Sequence, residues 1–203
     1  MTPSASHLGR LIQKARRHEP GALDQLLASY RNYLALLART GLDVSLQGKA
    51  DPSDLVQDAL LKAALRFGQF RGRTDAELAG WLRQILARCL ADFLRRYRTG
   101  GRRAAREQSL DELLERSSQA MGRVLAREGA SPSASAERRD LGVVLSDALA
   151  ELSEEHREVI VLHHLEGLNW DEVGRHLGRS AGAVQKLWTR ALKQLRPLID
   201  EWP

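Results

Sequence analysis

Apolar residues in this chain recur every three or four positions, and valine, isoleucine and threonine, the residues that favour strands, are sparse. A repeat near ~3.6 marks an amphipathic helix, whereas a strand alternates with a period of two. The chain is therefore expected to be all-α. The longest pattern runs from Asp75 to about Arg98, where Leu78, Trp81, Leu82, Ile85, Leu86, Cys89, Leu90, Phe93 and Leu94 form one stripe before Gly100-Gly101 closes it. Helix starts are equally legible. Asp51-Pro52-Ser53-Asp54 sets a cap before proline at the first helical position, and Pro20 is expected to play the same part before Leu23, Leu26, Leu27 and Tyr30. Thr74-Asp-Ala-Glu77, Ser109-Leu-Asp-Glu112 and Asn169-Trp-Asp-Glu172 fit the reciprocal capping box.

The helical pattern breaks between Glu128 and Arg138, a polar stretch of small residues that reads as a flexible linker. From Gly101 to Gly129 there is helical pattern but little core. The expected organisation is two small helical domains, residues 5–100 and 138–200, joined by a linker over 101–137. At ~100–200 residues per domain, 203 residues allow one domain or two small ones. One cysteine, Cys89, excludes an internal disulfide framework and suits a reducing compartment. No apolar run approaches the ~20 residues of a membrane span, and Met1 to Pro20 has no apolar leader core, so the expectation is a cytoplasmic protein without an anchor.

Charge is unevenly spread. Eight arginines and one acid, Asp92, lie between Arg83 and Arg106. Seven acids and one base, Arg157, lie between Glu151 and Glu172, and six bases with no acid follow from Val173 to Arg196. Such runs often form solvated helix faces. Two of them, each on a structural unit, point to phosphate binding.

The C-terminal unit carries the sharpest pattern. Leu141, Val144, Leu145, Ala148, Leu149 and Leu152 make one helix, and Ser153 is placed to cap the next, which carries Val159, Ile160, Leu162 and Leu165 up to Gly167. A short helix from Asn169 ends at Gly178, and Ser180 opens a longer one whose Val184, Leu187, Trp188, Ala191 and Leu195 face inward. A short helix, a glycine-bearing turn and a longer helix make a helix-turn-helix, whose second helix enters a major groove. Its outward positions are Gly182, Gln185, Lys186, Thr189, Arg190 and Lys193. Glutamine and lysine suit base edges; threonine, arginine and lysine suit phosphates. An ordinary helical hairpin is the alternative on these residues alone.

In the N-terminal unit, a helix from Asp51 to Phe67 turns Leu55, Ala59, Leu60 and Ala63 to one side and Asp54, Gln57, Asp58 and Lys62 to the other. The connector from Phe67 to Thr74 mixes aromatics, arginines and glycines. Such a mix either cradles phosphates and stacks unpaired bases, or plugs the core with Phe67 and Phe70 while the arginines are solvated.

Asp54-Leu-Val-Gln-Asp-Ala-Leu-Leu-Lys-Ala63, then Phe70-Arg-Gly, then Trp81-Leu-Arg-Gln-Ile-Leu-Ala-Arg88 resembles the first conserved domain of bacterial sigma factors, of the extracytoplasmic-function (ECF) class. Leu149-Ala-Glu-Leu-Ser-Glu-Glu-His-Arg-Glu-Val-Ile160, His164-Leu-Glu-Gly-Leu-Asn-Trp170 and Leu177-Gly-Arg-Ser-Ala-Gly-Ala-Val184 are similar to the second domain of that class. The resemblance implies a protein that binds core RNA polymerase and promoter DNA, with room for an anti-sigma factor as a further partner. It implies core contacts at Asp54, Gln57 and Asp58. It implies −10 element contacts at Arg71, Arg73, Thr74, Arg83, Gln84, Arg88, Arg95 and Arg96. It implies −35 element contacts at Ser180, Gly182, Gln185, Lys186, Thr189 and Arg190. Many relatives carry an arginine where this chain has Leu187 and a leucine where it has Trp188, so the base contacts carry over least well. Opening DNA costs ~1–2 kcal/mol of stacking per step, and no GxxxxGK[ST] loop is present to supply ATP energy. Opening would then draw on binding energy alone.

Other classes fare worse. A stand-alone helix-turn-helix regulator explains 138–200 but not the Asp54-Leu-Val-Gln-Asp58 helix or the arginine-rich helix after it. A helical adaptor that binds protein only is a third reading, whose signature would be an absence of DNA contacts when polymerase is present. An enzyme is not expected: His163 and His164 are adjacent, where a HExxH metal pair stands four apart, no Ser/His/Asp arrangement is indicated, and no metal or cofactor is implied. Cys89 lies in an apolar stripe, although neighbouring arginines would favour its thiolate if it were accessible.

Overall fold

The computed structural model describes residues 7–41, 51–97, 112, 114–117, 119 and 137–200. These residues form helices and turns, with no strand among them. The chain divides into two compact units, Met1–Arg116 and Ser117–Pro203. The Glu128 to Arg138 stretch falls largely outside the described residues, as do the Ser109 cap and Gly100-Gly101.

The first unit contains α1 (His7–Arg16), α2 (Ala22–Ala28), α3 (Arg31–Gly41), α4 (Pro52–Arg66), a single 3-10 turn (Phe67–Gln69) and α5 (Asp75–Tyr97). Helix α5 packs against α1, α3 and α4, and α2 rests on α1 and α4. The periodic leucines meet at the centre: Leu26, Leu34, Leu37, Leu78, Leu82, Leu86 and Leu90 are fully buried. Burying each contributes ~1.5–3 kcal/mol. Tyr30 and Tyr33 are also buried, edge to face at 6.2 Å. Trp81 and Phe93, expected in the buried stripe of α5, sit at its margin and are half-exposed.

Local signals set the helix ends. Asp51 accepts the Ser53 amide at 2.8 Å ahead of Pro52, as its residue types require. Pro20 does not open α2. Gly21 takes the cap position instead, with φ 73, in the left-handed region that favours glycine. Within the stretch expected to be linker, Leu114 is buried and Glu115 pairs with Arg83 of α5.

The second unit contains α6 (Glu137–Glu151), α7 (Glu154–Ile160), a wide π-helical turn (Val161–Leu165), α8 (Trp170–Leu177) and α9 (Ala181–Asp200). Helix α9 packs on α6, α7 and α8. Val144, Leu145, Ala148, Leu149 and Leu152 are buried; the Leu141 side chain lies outside the described residues. Ser153 stands at the cap position of α7, but its side chain makes no capping bond. Arg157, the lone base of the acidic segment, ties α7 to the end of α6, donating to the carbonyls of Leu149 at 2.9 Å, Ala150 at 3.0 Å and Leu152 at 3.1 Å. It thereby satisfies carbonyls that the end of a helix leaves open.

Candidate functional site

The connector between α4 and α5 is held from several sides. Phe67 and Phe70 are buried, with Phe70 5.3 Å from Trp81 and 5.9 Å from Phe67, so the two phenylalanines plug the core and do not offer stacking surfaces. Gly72 fits where no side chain does: a Cβ there would lie 2.6 Å from both the Phe70 ring and the Glu77 Cβ. Thr74 and Glu77 form the expected capping box. The Glu77 carboxylate accepts the Arg73 amide at 2.8 Å, the Thr74 amide at 2.9 Å and the Thr74 hydroxyl at 2.8 Å, and the Thr74 hydroxyl accepts the Glu77 amide at 3.2 Å. The Arg73 amide, followed by these other bonds, holds the Glu77 carboxyl below its usual range. From α1, Arg16 donates to the Phe70 carbonyl at 3.2 Å and to the Gly72 carbonyl, and its guanidinium lies 5.6 Å from the Phe70 ring centre. A cleft of about 790 Å³ opens beside this contact, lined by Arg16, His18, Asp24, Phe67, Arg71 and Arg73.

Arg71 and Arg73 are exposed on this connector, and Gln84, Arg88 and Arg95 are exposed along α5. At ~100° per residue the last three share one helix face. Arg83 is turned away by about one step of that rotation. It donates to the Tyr33 hydroxyl at 3.0 Å and pairs with Glu115, so its fork is already engaged within the first unit. Arg95 also pairs with Asp92, at 3.2 Å. Arg96 lies in α5, but its side chain is outside the described residues. Thr74 is exposed, with its hydroxyl committed to the cap.

On α4, Asp54, Gln57 and Asp58 are exposed on one face, and Asp58 is paired with Lys62 at 2.8 Å. The same side carries two leucines that remain in solvent, Leu61 at 60% and Leu65 at 78% exposure. Positions 54, 58, 61 and 65 follow the helical repeat, so acids and leucines form one stripe. Beneath it Lys62 lies 3.4 Å from the Cys89 sulfur. Burial pushes the Cys89 thiol up to about 11 despite this neighbour, so the low-pKa thiolate that nearby arginines suggested does not form.

In the second unit, Asn169 caps α8 by accepting the amides of Asp171 at 3.1 Å and Glu172 at 3.0 Å, while Glu172 accepts the Asn169 amide at 2.8 Å. Gly178 closes α8 with φ 63. The turn then passes so close to Gly174 that a Cβ there would meet the Arg179 carbonyl at 2.6 Å. Ser180 caps α9 by accepting the Ala183 amide at 3.3 Å. Val184, Leu187, Ala191 and Leu195 are buried, while Ser180, Gly182, Gln185, Lys186, Thr189 and Arg190 are all exposed. The Thr189 hydroxyl donates to the Gln185 carbonyl at 2.9 Å. Trp188 is half-exposed, and its indole donates to His164 Nε2 at 2.9 Å. His163 stacks on Trp170 at 3.7 Å. Among the described residues no three metal-ligating side chains gather, and no helix is long and apolar enough to cross a membrane.

Two families match in this order: Sigma-70 region 2 over residues 29–99 and Sigma-70, region 4 over residues 148–197. The chain is 27% identical over 202 residues to the ECF RNA polymerase sigma factor BldN of Streptomyces coelicolor, covering 97% of this chain and 67% of that protein. It is 28% identical over 194 residues to the RNA polymerase sigma factor CarQ of Myxococcus xanthus, covering 94% and 96%. It is 30% identical over 151 residues to the RNA polymerase sigma-E factor of Streptomyces antibioticus, covering 74% and 71%. The chain belongs to the sigma-70 family, in its ECF class. A solved structure of an RsbN-BldN complex aligns with this sigma factor at 18% identity over 92% of it, with a TM-score of 0.33 that says nothing of its shape.

This sigma factor is a subunit that directs RNA polymerase to promoters. Its region 2 match spans α3, α4, the connector and α5, and its region 4 match runs from the end of α6 into α9. Two sets of residues in the sigma factor escaped the sequence reading. Leu61 and Leu65 had a usable signal, since they fall off the Leu55, Ala59 and Ala63 stripe and repeat with Asp54 and Asp58. Arg16 had none: it is one of two adjacent arginines at the end of α1, and its partners lie 54 and 56 residues away.

Proposed function

We propose that α4 docks on core polymerase through Asp54, Gln57 and Asp58, that the connector and α5 hold the −10 element, and that α9 reads the −35 element. The order of the two family regions along the chain is the observation that carries this reading. The acid-and-leucine stripe of α4 is solvent-facing and supports protein docking. Exposed Arg71, Arg73, Gln84, Arg88 and Arg95 supply polar and basic groups for an unpaired strand, with Thr74 capping α5, Arg83 held by Tyr33 and Glu115, and Arg96 included on its place in the sequence alone. On α9, Lys186 and Arg190 flank Gln185, Thr189, Gly182 and Ser180, which suits a helix laid in a major groove. Residues 5–100 and 138–200 act as the two binding domains and 101–137 as their tether. The chain works as a regulatory subunit, not an enzyme, and acts in the cytoplasm, where bacterial RNA polymerase is.

Run-off transcription with purified core polymerase on genomic fragments tests the reading. Promoter-specific transcripts are expected only when the chain is added. Charge reversal at Asp54 and Asp58 should abolish core binding with the fold intact. Lys186→Ala with Arg190→Ala should spare core binding, reduce promoter use, and lower the log–log salt slope of promoter binding by about two. A chain that fails to bind core polymerase would refute the assignment.

A further inference from the structure

We propose that Arg16 is a positioning residue for promoter opening, one that fixes the shape in which the connector offers Arg71 and Arg73 to an unpaired strand. This rests on the reading of the connector as part of the −10 binding surface. Arg16 lies outside the matched region 2, which begins at residue 29. Its guanidinium bonds the carbonyls of Phe70 and Gly72, two residues apart. Both bonds come from one guanidinium nitrogen, Nη2, whose two N–H groups serve one carbonyl each. The third contact sets the guanidinium carbon over the Phe70 ring, 5.6 Å from its centre.

The grip on the carbonyls opposes a second one on the amides, where Glu77 accepts from Arg73 and Thr74. Phe70 is anchored between them against Trp81. Gly72 lets the chain pass without a side chain where one would clash. Backbone held on both edges leaves the Arg71 and Arg73 side chains exposed on a fixed frame. The entropy of ordering this segment is then met during folding, and more of the binding energy remains for holding opened DNA. A lysine keeps the charge of Arg16 but lacks the planar guanidinium that puts one nitrogen on both carbonyls with its carbon over the ring.

The test compares the full chain with Arg16→Ala and Arg16→Lys. In the free proteins, amide hydrogen exchange over residues 67–77 is expected to rise about tenfold in both variants, with the centres of α4 and α5 unchanged. With core polymerase, core affinity should stay within twofold. Binding of the single-stranded non-template −10 segment, taken from a promoter mapped by run-off transcription, should weaken about tenfold in both. Unchanged connector exchange in Arg16→Ala overturns the proposal. So does wild-type strand binding by Arg16→Lys, which would make Arg16 a point charge only, or a strand-binding loss matched by an equal loss of core binding. The exchange measurement needs no polymerase and judges the grip itself. A wild-type chain that ignores core polymerase would instead count against the docking reading.

Discussion

At the scale of single residues, close approach and proton affinity decide more than polarity does. Gly174 is surrounded by backbone, with the Arg179 carbonyl at 2.6 Å from where a Cβ would sit, so the clash in Gly174→Ala cannot be relieved by turning a side chain. That substitution should destabilise the second unit by ~1–3 kcal/mol, seen as faster hydrogen exchange in α8 and α9 with the first unit unaffected. Glu77 gives a pH-dependent counterpart. Its carboxyl is held below the ordinary 4.5, chiefly by the Arg73 amide. A carboxyl depressed in the folded state stabilises the fold above its unfolded pKa, and that contribution disappears as pH falls through the folded value. Glu77→Gln should therefore melt at lower temperature than wild type near neutral pH, and the gap should close in acid. A gap that persists unchanged at pH 3 would mean the capping charge is not its source.

At the scale of helices, the same repeat that buries one face exposes another, and the exposed face of α4 is where the chain departs from a self-sufficient fold. Leu61 and Leu65 gain little from folding, at 60% and 78% exposure. Replacing both by glutamine should leave stability within ~0.5 kcal/mol, as for a surface change. It should cost about tenfold or more in core affinity by fluorescence anisotropy, since burying a leucine side chain on docking contributes ~1.5–3 kcal/mol. Much of this helix was readable beforehand. Asp51-Pro52 fixed its start, and Leu55, Ala59 and Ala63 gave its buried side. Helix α8 was as legible, with Asn169 and Glu172 capping its start as their residue types imply. Pro20 misled because proline is permitted at a helix start without being required there, and the left-handed Gly21 took the cap. Phe67 and Phe70 could not be settled from composition, because an aromatic in a turn serves core and ligand equally. Only their burial against Trp81 decides it. Arg83 shows the reverse limit: within an arginine run, nothing local marks the member whose partners are Tyr33 and Glu115.

At the scale of the whole chain, two compact units divide between Arg116 and Ser117, and each keeps its own buried leucines and valines. The small polar residues from Glu128 to Arg138 suit a tether more than a core. Brief proteolysis of the full chain should therefore release two fragments that persist, one ending and one beginning in that stretch, as mass spectrometry would show. Rapid loss of either fragment would tell against independent folding. Long-range partnerships were the least legible level, since Arg16 and the connector meet through packing, not through any repeat. The turn at Val161–Leu165 carries a consequence of its own. A π-turn holds one residue more than the regular spiral would there. Removing that residue would shorten the path slightly and swing the onward chain by ~100°. The direction in which the exposed side chains of α9 aim is thus partly written upstream of them, in a single surplus step of the backbone.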